Sequence, residues 1–205
     1  MSKIKTVETL EDLKRLFNFL SEVFYDEAVE YNEHYFTMSE RYEEMKVQFE
    51  VEKNLLMYIE KRGKIVAGIT AKGMKKDDGK ITLGVMAVAK SERRKGLAKE
   101  LVLEFEKRCK DAGIKHIDLG ARFRACPLYV NLGYEHFLMI QVFDFSTVED
   151  VRKKNKFGFD EVFSWQGETY GFIFYKTPDI KKEYIDYFEE NVKTAHVQFI
   201  FEKGL

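Results

Sequence analysis

The residues best placed to do chemistry are Arg93-Arg94-Lys95-Gly96-Leu97-Ala98-Lys99, which follow the run Val85-Met86-Ala87-Val88. Small and apolar residues give way to a cationic loop with one glycine, and a helical pattern begins at Gly96. A helix N-terminus carries unpaired N–H groups and partial positive charge. It is an anion site wherever the backbone can approach the ligand. Gly96 lacks the side chain that would block that approach, and Ala98 is nearly as small. Arg93, Arg94 and Lys95 add positive charge. Two common phosphate loops are excluded. GxxxxGK[ST] is absent, and a dinucleotide fingerprint needs more glycines than this one.

The elements around the loop follow from periodicity. Leu10, Leu13, Leu16, Phe17, Leu20, Val23 and Phe24 sit at helical spacing over 9–25. Thr9 is the expected N-cap, with Asp12 three residues on in an imperfect capping box. A second helix is expected within 39–53. LLMYIE (55–60) and KIVAGITA (64–71) read as strands joined by a hairpin turn at 61–63. Asp78-Gly79 is a stronger turn signal. ITLGVMAVA (81–89) is apolar on both faces, so it belongs inside a sheet. Leu97, Leu101, Val102, Phe105 and Cys109 line one face of the next helix, which Gly113 stops. HIDLGA (116–121) is then a strand reached by a parallel crossover. RACPLYVNLGY holds a very short helix with Pro127 near its start, and 134–145 is a long apolar strand.

Residues 146–205 read as a short helix at 148–155, a hairpin of EVFSW and YGFIFYK, an amphipathic helix at 180–193 and a strand at 195–202. The aromatic density of this part suits packing against the first core as an extra layer, or a homodimer surface.

The totals set limits. The chain has 205 residues, 45% hydrophobic, enough for one large domain or one domain with an extension. Cys109 and Cys126 form no CxxC pair, and the four histidines are scattered, so neither a disulfide framework nor a metal site is expected. There is no signal-peptide core and no apolar run long enough to span a bilayer, which points to the cytoplasm and away from a membrane partner. A net charge of −1 gives no case for nucleic acid. The charge is uneven, however: residues 22–52 are −8 and the remainder +7. That suits a cationic partner on the acidic segment, or else a solvated helix surface.

The loop resembles motif A of the GNAT family of N-acetyltransferases, [QR]-x-x-G-x-[GA] directly after a valine-rich strand. Here it is Arg93-Arg94-Lys95-Gly96-Leu97-Ala98. The family's second signature, A-x-x-x-Y-x-x-x-G-[FY], is matched by Ala125 through Tyr129 and Gly133 to Tyr134. The element order agrees, and the resemblance covers roughly residues 1–145. It implies a mixed α/β fold. The sheet would be mostly antiparallel and flanked by helices, with a splayed parallel pair at the cofactor site. An acetyl-CoA-binding domain would span 1–145 and an extension 146–205.

The resemblance also implies the chemistry. Acetyl-CoA is the co-substrate and no metal is needed. Backbone N–H groups of 94–98 would hold the pyrophosphate, with Lys95 and Lys99 near the other phosphates. The backbone at Met86 and Val88 would pair with the pantetheine arm, and the Val88 N–H would polarise the acetyl carbonyl. Tyr129 takes the place of the family's general acid, protonating the departing thiolate after direct attack by a primary amine. The acidic segment points to a cationic acceptor: a polyamine, an aminoglycoside or a basic peptide. A Glu that members often carry on the strand is absent. Asp118, His116, His34 and the acids of 22–44 are the alternatives for general base. Arg122 stands near a place where members often have Asn, and Cys126 reads as a small packing residue. The competing functions are a non-catalytic acetyl-CoA-binding sensor or assembly module, and an unrelated nucleotide- or phosphate-binding protein.

Overall fold

The computed structural model describes residues 3–31, 39–75 and 79–205, so His34 and Asp78 lie outside the described residues. The chain forms two compact units. One runs up to Ile117 and includes Gly204–Leu205; the other is Asp118–Lys203. The fold is the expected mixed α/β one, with mostly antiparallel strands and flanking helices. Among the described residues no helix is long and apolar enough to cross a membrane.

In the first unit, β1 (Ile4–Thr6), β2 (Met57–Lys61), β3 (Lys64–Lys75) and β4 (Lys80–Val88) follow one another in an antiparallel sheet. The three-residue β1 carries too little pattern to be read from sequence, and the expected start of β2 at Leu55 is instead a short 3-10 turn. Arg62 and Gly63 both have positive φ, as a tight hairpin requires. Helix α1 (Leu10–Tyr31) runs beyond its predicted end, and α2 (Ser39–Glu52) follows it. Leu13, Leu16, Leu20 and Val23 of α1 form a core with Met45, Tyr58, Val85 and Ala87. Leu10, in the first turn, stays 59% exposed and leaves the predicted stripe. Met57 and Ile59, one residue either side of Tyr58, must face the opposite side of the sheet. Both are buried there, and α3 (Leu97–Asp111) packs against β2, β3 and β4. All five residues predicted for its buried face are buried.

β5 (His116–Ala121) begins in this unit. The N–H groups of Lys115 and His116 both donate to Gly79 O, just before β4, so the two strands of the parallel pair start level. Leu205 N–H donates to Lys115 O at 2.9 Å.

In the second unit the strand order is β5, β9 (Ala195–Gly204), β6 (Glu135–Phe143), β8 (Tyr170–Lys176), β7 (Asp160–Gln166). β6 therefore lies between two strands of the C-terminal 60 residues, pairing Leu138 with both Tyr175 and Phe199. Leu138, Ile140 and Val142 are fully buried on one face. α4 (Cys126–Asn131), α5 (Val148–Lys153) and α6 (Lys182–Asn191) contribute Cys126, Val151 and Phe188 to the same core. The aromatic residues divide by strand alternation. Tyr175 and Phe199 are buried, whereas Phe163, Trp165, Phe172 and Phe174 cluster together, with Phe163 and Trp165 about half exposed.

The start of α1 offers a direct test. Thr9 Oγ accepts the Asp12 N–H at 3.1 Å while Asp12 Oδ2 accepts the Thr9 N–H at 3.2 Å, a complete capping box. Partial burial pushes the Asp12 carboxyl up. Hydrogen bonds from the Thr9 hydroxyl, the Glu8 and Thr9 N–H groups and Tyr58 outweigh this and hold it below its ordinary value. The stability Asp12 contributes is therefore full above pH 3.8, its ordinary pKa, and is lost as pH falls through the lower folded value. Thr9→Ala should cost about 1 kcal/mol in urea unfolding at neutral pH, and that gap should narrow on acidification.

Candidate functional site

The predicted cofactor residues Met86, Val88 and Arg93 to Lys99 form one continuous strand–turn–helix in the first unit. In an antiparallel ladder, alternate residues bond across the pair and the residues between them turn their N–H and C=O outward. Ala89 N–H donates to Val66 O at 2.8 Å, and Gly68 pairs with Ala87 in the same register. Met86 and Val88 are the intervening residues, so their backbone groups face away from β3.

A β-bulge, which the sequence reading missed, fixes that alternation. Ile69 pairs with Met86 and Ala71 with Leu83, leaving Thr70 opposite both Gly84 and Val85. The Val85 N–H, which a bulge would otherwise leave unpaired, donates to Thr70 Oγ1 at 2.9 Å. A Cβ built on Gly84 would lie 2.9 Å from the same oxygen. A lone glycine inside an apolar strand was the available signal.

The loop after β4 contains two left-handed residues, Arg94 at φ 63° and Gly96 at φ 83°. Gly96 is the N-cap of α3, with Glu100 N–H donating to Gly96 O at 3.0 Å. Nothing lies within 4 Å of a Cβ built on Gly96, so the space over the helix start is open to a ligand. An anionic group can approach such an open helix start.

The cations have partners of their own. Arg93 turns inward: its Nη2 meets Glu27 Oε1 at 2.8 Å, and its Nε donates to Val88 O at 3.2 Å. Lys95 reaches Glu92 at 3.2 Å, and Lys61 approaches the same carboxylate at 2.6 Å. Lys61 first and Lys95 second hold the Glu92 carboxyl below its usual range. Arg94 and Lys99 are exposed. Acids of the −8 segment are drawn to these and nearby bases, Glu30 to Lys90 at 3.1 Å and Glu44 to Lys72 at 2.7 Å. In the sequence Glu27 is only one of the acids of the −8 segment, because a partner 66 residues away leaves no local mark. An open cleft of about 340 Å³ lies beside this region, lined by Val23, Asp26, Val29, Glu30, Lys90 and Arg93.

Tyr129 sits in the second unit, on α4. It is 4% exposed, with its ring 5.6 Å from Tyr134 and 5.3 Å from Phe201. Burial, and then the neighbouring Cys126, push the phenol far above its ordinary pKa. It stays protonated, the state that a proton donor needs and a base cannot use. Cys126 is fully buried and burial pushes its thiol up to about 12, so it is a packing residue without thiolate character. Of the residues named for general base, Asp118 is half-buried on β5 and His116 is exposed.

A family model described as "Acetyltransferase (GNAT) family" matches residues 13–134. No curated protein matches the chain in sequence. Among solved structures, a Drosophila melanogaster polyamine N-acetyltransferase that forms N-acetylagmatine is 12% identical, with all of both chains covered and a TM-score of 0.63. An agmatine N-acetyltransferase mutant is 13% identical, with 99% of each chain covered and a TM-score of 0.62. The Escherichia coli ribosomal-protein-S18-alanine N-acetyltransferase is 18% identical over 85% of this chain and 92% of its own, with a TM-score of 0.51. At these identities the likeness is one of fold.

Gly96→Ala meets no atom and so isolates the effect of backbone conformation. It should lower stability by about 1–2 kcal/mol, the penalty for a side chain in the left-handed region, read as a lower urea midpoint with an unchanged m-value.

Proposed function

The chain belongs to the GNAT acetyltransferase family, which makes it an acyltransferase, and on that premise we propose that it transfers the acetyl group of acetyl-CoA to a small, positively charged primary amine. The observation that carries the proposal is the Gly96 turn opening α3 beside a strand whose Met86 and Val88 backbone groups face away from β3. When bound, acetyl-CoA supplies an activated thioester.

The residues of the chain bind, orient and manage protons. The N–H groups of 94–98 take the phosphates at the helix start, helped by Lys95 and Lys99. Met86 and Val88 orient the extended arm through backbone hydrogen bonds. Arg93 holds the outward Val88 carbonyl and anchors the loop to Glu27 on α1. Tyr129 Oη holds the proton required by the departing sulfur, whose thiol has a pKa near 8.5.

The proposed acceptor class rests on three supports. The first is the acidity of 22–52. Asp26 and Glu30 line the open cleft of the first unit. Two of the similar folds act on agmatine or polyamines. Within this proposal residues 1–145 handle the cofactor and 146–205 are an extension, and the unpaired, buried Cys109 and Cys126 suit a reducing cytoplasm.

Mass spectrometry of an amine panel incubated with the protein and acetyl-CoA tests the reaction. Acetylated polyamines or agmatine are expected, with the preference weakening at high salt; equal use of neutral amines would overturn the cationic class. Tyr129→Phe should leave acetyl-CoA affinity within about twofold while lowering turnover at least tenfold, within the range typical of acid–base groups. Unchanged turnover would remove Tyr129 from the chemistry.

A further inference from the structure

We infer that Thr70 is a positioning residue for acetyl-CoA: its hydroxyl holds the β4 bulge and so selects which backbone groups of β4 face the ligand. The inference rests on the acetyl-CoA reading above and deepens it.

Thr70 lies on β3, is 2% exposed, and carries a hydroxyl on a strand position that an apolar β-branched residue would fill equally well. Its Oγ1 accepts the Val85 N–H at 2.9 Å and lies 3.4 Å from Val85 O, to which it donates. One side chain therefore serves both backbone groups of the extra residue in the bulge.

The consequence follows from counting along the ladder. Below the bulge the register pairs Ala71 with Leu83. Continued without interruption, it would set Ile69 opposite Val85 and Ala67 opposite Ala87. Val85 and Ala87 would then turn their N–H and C=O away from β3, because a shift of one residue exchanges the bonded and outward sets. With the bulge, Ile69 pairs with Met86 and Ala67 with Val88, and those two residues turn outward instead. The side chains register the same step. Leu83 and Val85 are both buried, yet Val85 and Ala87 belong to the core under α1, whereas Leu83 shares its face with Ala71 and Ile69. Gly84 leaves room for the hydroxyl, since a Cβ there would also approach the Ala71 carbonyl carbon at 3.4 Å.

Binding measurements with CoA and with 3′,5′-ADP, which keeps two of CoA's three phosphates and lacks the pantetheine arm, separate this role from the helix-start site. Thr70→Val should weaken CoA about tenfold or more, the loss of one or two hydrogen bonds. It should leave 3′,5′-ADP within about twofold, and Thr70→Ser should restore CoA binding. Gly84→Ala, which displaces the hydroxyl from the other strand, should reproduce the Thr70→Val pattern and serves if that variant does not fold. In the wild-type protein, CoA titration followed by amide NMR should move Met86 and Val88 more than Val85 and Ala87. Equal CoA affinity in both variants, equal loss of both ligands, or larger shifts at Val85 and Ala87 would overturn the inference alone. Wild-type protein that binds no CoA would overturn the acetyl-CoA reading, and this inference with it.

Discussion

A strand has twice as many backbone hydrogen-bonding directions as one neighbour can use, and β4 is organised around that surplus. The β3 ladder takes alternate residues, and the remainder must be satisfied on the other edge. Most strands meet this need with a second strand along their full length. β4 starts level with β5 at Gly79 within the first unit, and one of its outward carbonyls, that of Val88, is met by the Arg93 guanidinium. In the function proposed above the extended arm of the coenzyme uses this strand edge as a template, so affinity would come from main-chain geometry that no side-chain substitution removes directly.

Charge around the loop is arranged to support this backbone more than to supply bare cations. Arg93 joins the carbonyl of Val88 to a carboxylate on α1. Its side chain is 28% exposed and that of Glu27 16%, so the pair is screened less than a surface ion pair. Lys61 and Lys95 share Glu92 at the same turn. The −8 segment is thus partly answered by the basic body of its own unit. What reaches solvent as negative potential is less than the composition suggests.

Much of the fold was legible because its signals are local. The 3.6-residue period gave the buried face of α3 residue for residue, the capping box gave the start of α1, and the Pro127–Gly133 bracket gave the six-residue α4. The strand–glycine–helix junction of the candidate site was legible to the same extent, from Gly96 and the run before it. The illegible parts depend on partners distant in sequence. β9 inserts between β5 and β6, a placement that no window of residues encodes. Glu27 finds Arg93 across 66 residues. The bulge needs Thr70 and Gly84 considered together, because the lone glycine marks an irregular strand without saying which residue faces it. Leu10 kept its helical spacing but sits in the first turn of α1, where the core is out of reach.

The two cysteines have a practical bearing. Both are free, both are fully buried, and burial pushes each thiol up to about 12. Thiolate is the form that reacts with disulfides and electrophiles, so the native protein presents almost none of it at neutral pH. A colorimetric thiol reagent added to a working reaction would report liberated coenzyme over a nearly silent protein background. Any slow rise in that background would count molecules whose cores have opened, which makes the same reagent a gauge of unfolding.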